Sequence, residues 1–130
     1  MIVVDASVLV DILLRVPTTD AAAYRLFHSG ETLHAPHLLD LEVTQTLRRH
    51  EAMRPAEAAR YREALDDLAR VRLFRYPHNM LLPRVWALRN NLTAYDAAYV
   101  ALAEMLGAVL MTRDRRLATA AGHYARIDLV

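Results

Sequence analysis

The stretch Met1-Ile-Val-Val-Asp-Ala-Ser7 decides the fold. Ile2, Val3 and Val4 form an unbroken apolar run, the pattern of a strand covered on both faces, as in a parallel sheet. The run stops at Asp5. Two small residues follow, then Val8-Leu-Val-Asp-Ile-Leu-Leu14, which has helical length, with Ser7 placed to cap it. The chain therefore opens with a buried strand that delivers a carboxylate at its C-terminal end. In open parallel sheets, ligands bind at that end of the strands. Asp is also common in turns and caps, so Asp5 alone does not define a site.

Working outward, the same alternation repeats. Asp20–Ser29 reads as a helix stopped by Gly30. Thr32–Ala35 reads as a short strand ended by Pro36, and His37–Glu51 as a helix with Leu38, Leu41, Gln45 and Arg48 at helical spacing. Arg54-Pro55 starts a further helix through about Arg70, with Tyr61, Leu65 and Leu68 on one face. Val71–Tyr76 is strand-like and closed by Pro77. Asn79–Asn90 is helical in pattern, with Trp86 on its apolar side, and Thr93–Leu106 is a strong helix stopped by Gly107. Ala108–Met111 is a second strand of the buried kind, Asp114–Ala121 a short helix ended by Gly122, and Ala125–Val130 an edge strand. Strands alternating with helices predict an α/β fold with a mainly parallel sheet.

Composition bounds the function. The chain of 130 residues fits one domain with a full core, residues 1–130. Its net charge of +1 argues neither for nor against nucleic acid. It has no Cys, which excludes disulfides, thiolate metal sites and cysteine nucleophiles. No apolar run approaches membrane-spanning length and no signal peptide precedes the first strand, so a cytoplasmic protein without membrane contact is expected. The hydrophobic content of 55% is high for a small domain and suggests a surface covered by a second chain, such as a dimer or partner interface.

Four carboxylates then stand out. Asp5 ends the first strand, and Asp114 follows the Val109–Met111 strand through Thr112. Glu42 has Leu38, Leu39 and Thr46 as turn-neighbours; Asp96 lies beside Leu92, Tyr99 and Val100. An acid on a core-facing stripe is costly unless paired or metal-bound. Each has an ordinary explanation: a salt bridge for any of them, a favourable helix dipole for Asp96, an N-cap for Asp114. Their conjunction weighs the other way. If all converge, like-charge repulsion requires protonation or cations. A hard divalent cation with oxygen ligands resolves that, which points to metal-assisted phosphodiester hydrolysis.

Val4-Asp-Ala-Ser7, Leu41-Glu-Val43, Tyr95–Glu104 and Leu110-Met-Thr-Arg-Asp114 resemble the motifs of PIN domains, in particular the VapC-type toxins of bacterial toxin–antitoxin pairs. The resemblance spans nearly the whole chain. It implies a three-layer α/β/α sandwich and a Mg²⁺- or Mn²⁺-dependent endoribonuclease. It also implies Asp5, Glu42, Asp96 and Asp114 as metal-binding catalytic acids, with Ser7 and Thr112 as supporting hydroxyls. Its implied partners are RNA as substrate, a second copy in a homodimer, and a small co-encoded antitoxin.

Other readings are weaker. His34-x-x-His37 has ligand-like spacing, but Pro36 breaks any shared helical face. With glycine only at Gly30, Gly107 and Gly122, no phosphate-binding glycine loop exists. Ser7 lacks the context of a nucleophile elbow. Arg48, Arg49, Arg54, Arg60 and Arg62 either track a phosphate backbone or form a solvated face with Glu57 and Glu63. Asp11 either supports the site from behind or sits on the surface. A receiver-type phospho-acceptor domain also places acids after parallel strands, but it needs a Lys after a late strand, and this chain has none. A PIN-like RNA-binding module that has lost catalysis is the remaining alternative.

Overall fold

The computed structural model describes residues 1–130. Ile2–Val4 form strand β1, with all three side chains shielded from solvent. Helix α1 (Ala6–Leu13) follows at once, then a 3₁₀ turn at Pro17–Thr19 and α2 (Asp20–His28). Strand β2 (Leu33–Pro36) leads into α3 (Leu38–Met53). A 3₁₀ turn at Pro55–Glu57 precedes α4 (Ala58–Arg70), and β3 (Leu73–Tyr76) comes next. The remaining elements are α5 (Leu82–Ala87), α6 (Ala94–Leu106), β4 (Val109–Thr112), α7 (Arg115–Thr119) and β5 (Arg126–Leu129).

The strands lie in the order β3-β2-β1-β4-β5 and every neighbouring pair is parallel. The sheet is thus wholly rather than mainly parallel. Parallel crossovers are right-handed, so reversing the direction of travel across the sheet reverses the covering face. Helices α1, α3 and α4 pack on one another in one layer, with α2 against α1, while α6 lies against β1, β2 and β4 with α5 beside it. This is the three-layer α/β/α sandwich. A receiver-type sheet has the order 2-1-3-4-5, so the strand order excludes that alternative independently of the missing Lys.

The topology also fixes where a site can form. The chain leaves β1 towards β2 on one side and returns from β3 to β4 on the other. The crevice between the C-terminal ends of β1 and β4 is therefore the switch point at which open α/β sheets bind ligands. Asp5 and Asp114 flank it.

Local signals account for most boundaries. Thr93 caps α6 by accepting the Asp96 N–H at 3.2 Å, and Gly107 closes the helix in the left-handed region at φ 61°. Pro36 ends β2 as its last residue, paired with Tyr76, and the next N–H, from His37, donates to the Tyr76 carbonyl.

Three expectations fail. The helical spacing of Leu38, Leu41, Gln45 and Arg48 does not mark the core face: only Leu38 of the four is buried, Leu41 is 74% exposed, and α3 packs inward through Leu38, Leu39, Val43 and Leu47. Asn79–Asn90 is not one helix but a 3₁₀ turn (Asn79–Leu81) followed by the single-turn-scale α5, and its Trp86 is 69% exposed with the Arg89 guanidinium over its ring. Leu81 and Leu88 take the buried positions there. Ser7 does not cap α1; the helix starts at Ala6 with Asp5 as the capping residue by backbone geometry, and no side chain caps it.

Candidate functional site

The four acids converge. Asp5, Glu42, Asp96 and Asp114 all line one open cleft of about 400 Å³, together with Ser7, Val10, Asp11, Thr46, His50 and Arg113. They come from four segments spread over the chain, and only the sheet order brings them together.

Asp5 is the most enclosed, at 8% exposure. Although it stands at the N-terminus of α1, its carboxylate caps nothing. Instead Oδ2 accepts from the Ser7 hydroxyl at 2.8 Å and from the Thr112 hydroxyl at 2.6 Å. Both hydroxyls are fixed from behind, Ser7 by the Arg113 N–H (3.2 Å) and Thr112 by the Asp114 N–H (3.0 Å). The loop after β4 is thereby locked onto the loop after β1. Glu42, on α3, accepts from the buried Tyr99 hydroxyl of α6 at 2.7 Å. Asp114 does act as an N-cap: its Oδ1 accepts from the N–H groups of Arg116 (2.8 Å) and Leu117 (3.4 Å). The cap reading and the cleft position are both true of this residue. Asp96 sits in the first turn of α6 with no ion pair.

The electrostatics bear the marks of crowding. Burial raises the Asp96 pKa, and the charges of Asp5 and Asp114 raise it further. Burial likewise raises Glu42; the Tyr99 hydrogen bond opposes this, while Asp5 and Asp96 add to it. Tyr99 is itself pushed far up by burial and then by Glu42, so it stays a hydrogen-bond donor. No arginine neutralises the centre. Arg113 is engaged with Asp11, and Arg116 reaches Asp114 only at 3.8 Å from a side chain that is 95% exposed.

This donor set is all oxygen, as hard divalent cations require. No three His, Asp or Glu side chains enclose a metal ion by themselves. Mg²⁺ takes one or two carboxylates and completes its shell with water and phosphate oxygens, so the arrangement fits it without a closed cage.

Several sequence readings resolve here. Asp11 lies on the cleft wall, paired with Arg113, rather than behind the acids. His34 and His37 form no metal pair: His34 is buried between Thr32 (2.8 Å) and Tyr76 (2.7 Å), and His37 stands edge-on to His78. The arginines are largely occupied. Arg60 donates to the Leu14 carbonyl at 2.6 Å and approaches Glu57, Arg62 pairs with Asp66, and Arg48 and Arg49 donate to Gln45 and Thr46. Glu63 pairs with Arg15 instead. Tyr61 and Leu68 are buried core contacts of α4, with Leu65 partly buried beside them. Tyr99, Thr46, His50 and Arg113 join the site beyond the sequence candidates. Thr46 and Tyr99 stand one turn from Glu42 and Asp96, and Arg113 precedes Asp114, whereas His50 has no local signal.

The sequence profile described as PIN domain matches residues 2–123. Ribonuclease VapC9 of Mycobacterium tuberculosis is 46% identical over 117 residues, covering 90% of this chain and 88% of its own. Ribonuclease VapC12 of the same organism is 39% identical over 130 residues, covering 100% and 99%. Among solved structures, VapBC2 from Rickettsia felis bound to a DNA fragment from their promoter superposes with a TM-score of 0.72 at 13% identity, covering 99% of this chain and 98% of that one. That likeness concerns the fold.

Proposed function

Because the chain belongs to the PIN-domain family, with VapC ribonucleases as near full-length relatives, we propose that it is a Mg²⁺- or Mn²⁺-dependent endoribonuclease, the toxin of a toxin–antitoxin pair. The observation that carries this is the convergence of Asp5, Glu42, Asp96 and Asp114 on one cleft, with raised pKa values at Glu42 and Asp96 and an ion pair to neither.

Of Asp5, Asp96 and Asp114, with Glu42 beside them, one or two carboxylates would bind the cation directly and the others would act through its bound waters. When bound, the cation polarises the phosphodiester and makes a bound water a better nucleophile. The chain's own groups do the rest. Ser7 and Thr112 occupy Oδ2 of Asp5 and so fix the plane of that carboxylate. Tyr99 holds one oxygen of Glu42, leaving the other to orient the attacking water. The raised proton affinity of Glu42 suits it to accept that water's proton. Asp114 stays fixed through its cap bonds.

The partners follow the same reading: RNA as substrate, a small co-encoded antitoxin, and a homodimer in the cytoplasm. Exposed Leu41, Leu82 and Trp86 offer apolar surface for a second chain. No helix is long and apolar enough to cross a membrane. The test is incubation of purified protein with RNA in Mg²⁺, in Mn²⁺ and in EDTA. Cleavage in both metals and none in EDTA is expected; binding without cleavage in any buffer would leave a catalytically inactive RNA-binding module.

A further inference from the structure

The cleft continues past the four acids. On α3 its wall is Glu42, Thr46 and His50, one residue per turn. At a rise of about 1.5 Å per residue, His50 lies about 12 Å along the helix from Glu42. On α1 the wall runs from Asp5 through Val10 to Asp11. The far part of the cleft thus has a different character from the near part. Its wall carries the His50 imidazole, packed edge-on against the Tyr61 ring at 5.7 Å, and Asp11, about 9 Å along α1 from Asp5, on which the Arg113 guanidinium rests.

Arg113 is built as an arm on a fixed base. Its main-chain N–H is held by Ser7, which also holds Asp5. Its guanidinium, 35% exposed, meets a 26% exposed carboxylate. A pair with this much access to water is screened and holds less firmly than a fully buried one, so the contact can be exchanged. A guanidinium would repel a divalent cation, so Arg113 does not help to hold one. Its planar fork of donors matches phosphate oxygens, and a polyanion approaching four carboxylates needs such a group nearby.

We propose that Arg113 and His50 form a phosphate subsite at the far end of the cleft, which holds the RNA phosphodiester neighbouring the one that is cut. Asp11 is the resting counter-ion that Arg113 leaves when RNA arrives. The inference rests on the ribonuclease reading and adds to it the path of the strand, along the groove between α1 and α3.

The test measures binding, not cleavage. Full-length Asp96→Asn protein in Mg²⁺ is titrated against a short single-stranded RNA of mixed sequence, over a range of salt. Adding Arg113→Ala should weaken binding about tenfold and make the plot of log K against log salt shallower by about 0.7, the loss of one single-strand phosphate contact. Arg113→Lys should keep most of the slope and lose part of the affinity. His50→Ala should weaken binding about threefold. Asp11→Asn should tighten binding, and this gain should vanish in the Arg113→Ala background. A mere change of overall field would leave that gain intact, and finding it intact would overturn the resting-partner role. Unchanged affinity and slope in both Arg113→Ala and Arg113→Lys would overturn the subsite while leaving ribonuclease activity standing. No RNA binding by any variant, with no cleavage by wild type, would remove the ribonuclease reading and the subsite together. Melting curves of each variant separate these outcomes from misfolding.

Discussion

Helix α6 carries a carboxylate near each end, and the fold treats the two in opposite ways. At its C-terminal end the Glu104 side chain is 2% exposed. Burial alone would raise its pKa, but two hydrogen bonds from Arg84 (2.7 and 3.0 Å), the Tyr124 N–H (3.0 Å) and the charge of Arg84 outweigh this, and the net shift is downward. At the N-terminal end Asp96 is also removed from water, but it faces Asp5 and Asp114 instead of an arginine, and its shift is upward. Glu104 is neutralised within the chain. Asp96 keeps its repulsion, which the proposed cation would relieve.

The largest expected effect bears on the unrelieved end. Asp96→Asn keeps the shape of the side chain and removes its charge. RNA cleavage should fall by more than about 100-fold, beyond what loss of a group behind a metal ligand usually costs, while circular dichroism stays native. Near wild-type cleavage by this variant would make Asp96 an ordinary helix-terminus residue.

Next in size is the relieved end. Arg84→Met leaves Glu104 buried without its partner. Denaturant unfolding should show a loss of about 3 kcal/mol, the lower end for breaking a buried pair, because Arg84 itself is partly exposed. Cleavage well below the melting temperature should be unaffected. A larger effect on turnover than on stability would break the distinction between the two ends.

A third test sets the signs against each other. Without metal, Asp96→Asn should melt higher than wild type at neutral pH, by about 3 °C per kcal/mol of repulsion removed. A carboxylate whose folded pKa is raised binds more protons folded than unfolded. Wild type therefore loses stability as pH rises from the ordinary carboxylate range through the raised values of Asp96 and Glu42. The advantage of Asp96→Asn should grow over that window and vanish below it. Mn²⁺ should raise the wild-type melting temperature more than the variant's, because it binds the folded site. A lower melting point for Asp96→Asn in EDTA, with no Mn²⁺ shift in wild type, would mean that these acids are structural.

The smallest effect concerns Tyr99. Tyr99→Phe removes the one bond that lowers the Glu42 pKa. The acid limb of the cleavage pH profile should move upward, with about 1 kcal/mol lost in stability. An unmoved limb would mean that Glu42 does not titrate in the reaction.

The acids themselves were legible. Ile2–Val4 ending in Asp5, Val109–Met111 leading to Asp114, and the stop at Gly107 are local patterns, and local patterns survive in any sequence window. The sequence misleads where two patterns compete or none is strong. On α3, Leu38 and Leu41 imitate a core stripe, but Leu39, Val43 and Leu47 repeat every turn and win the interior. Around Trp86 the segment is apolar on several sides and too short to show a phase, so packing of Leu81 and Leu88 decided which side went in.

By itself the sequence determined that this is a parallel α/β chain with acids at strand ends and on helix faces, because strand and helix periods and caps are set by neighbours a few residues apart. Only the tertiary structure decided which acids meet and which are neutralised. The order β3-β2-β1-β4-β5 brings Thr112 onto Asp5 and Tyr99 onto Glu42, and it sends Arg84 to Glu104 and Arg113 to Asp11. Those pairings join residues far apart in the chain. The charge a carboxylate keeps depends on what the folded sheet places beside it, and no local pattern encodes that.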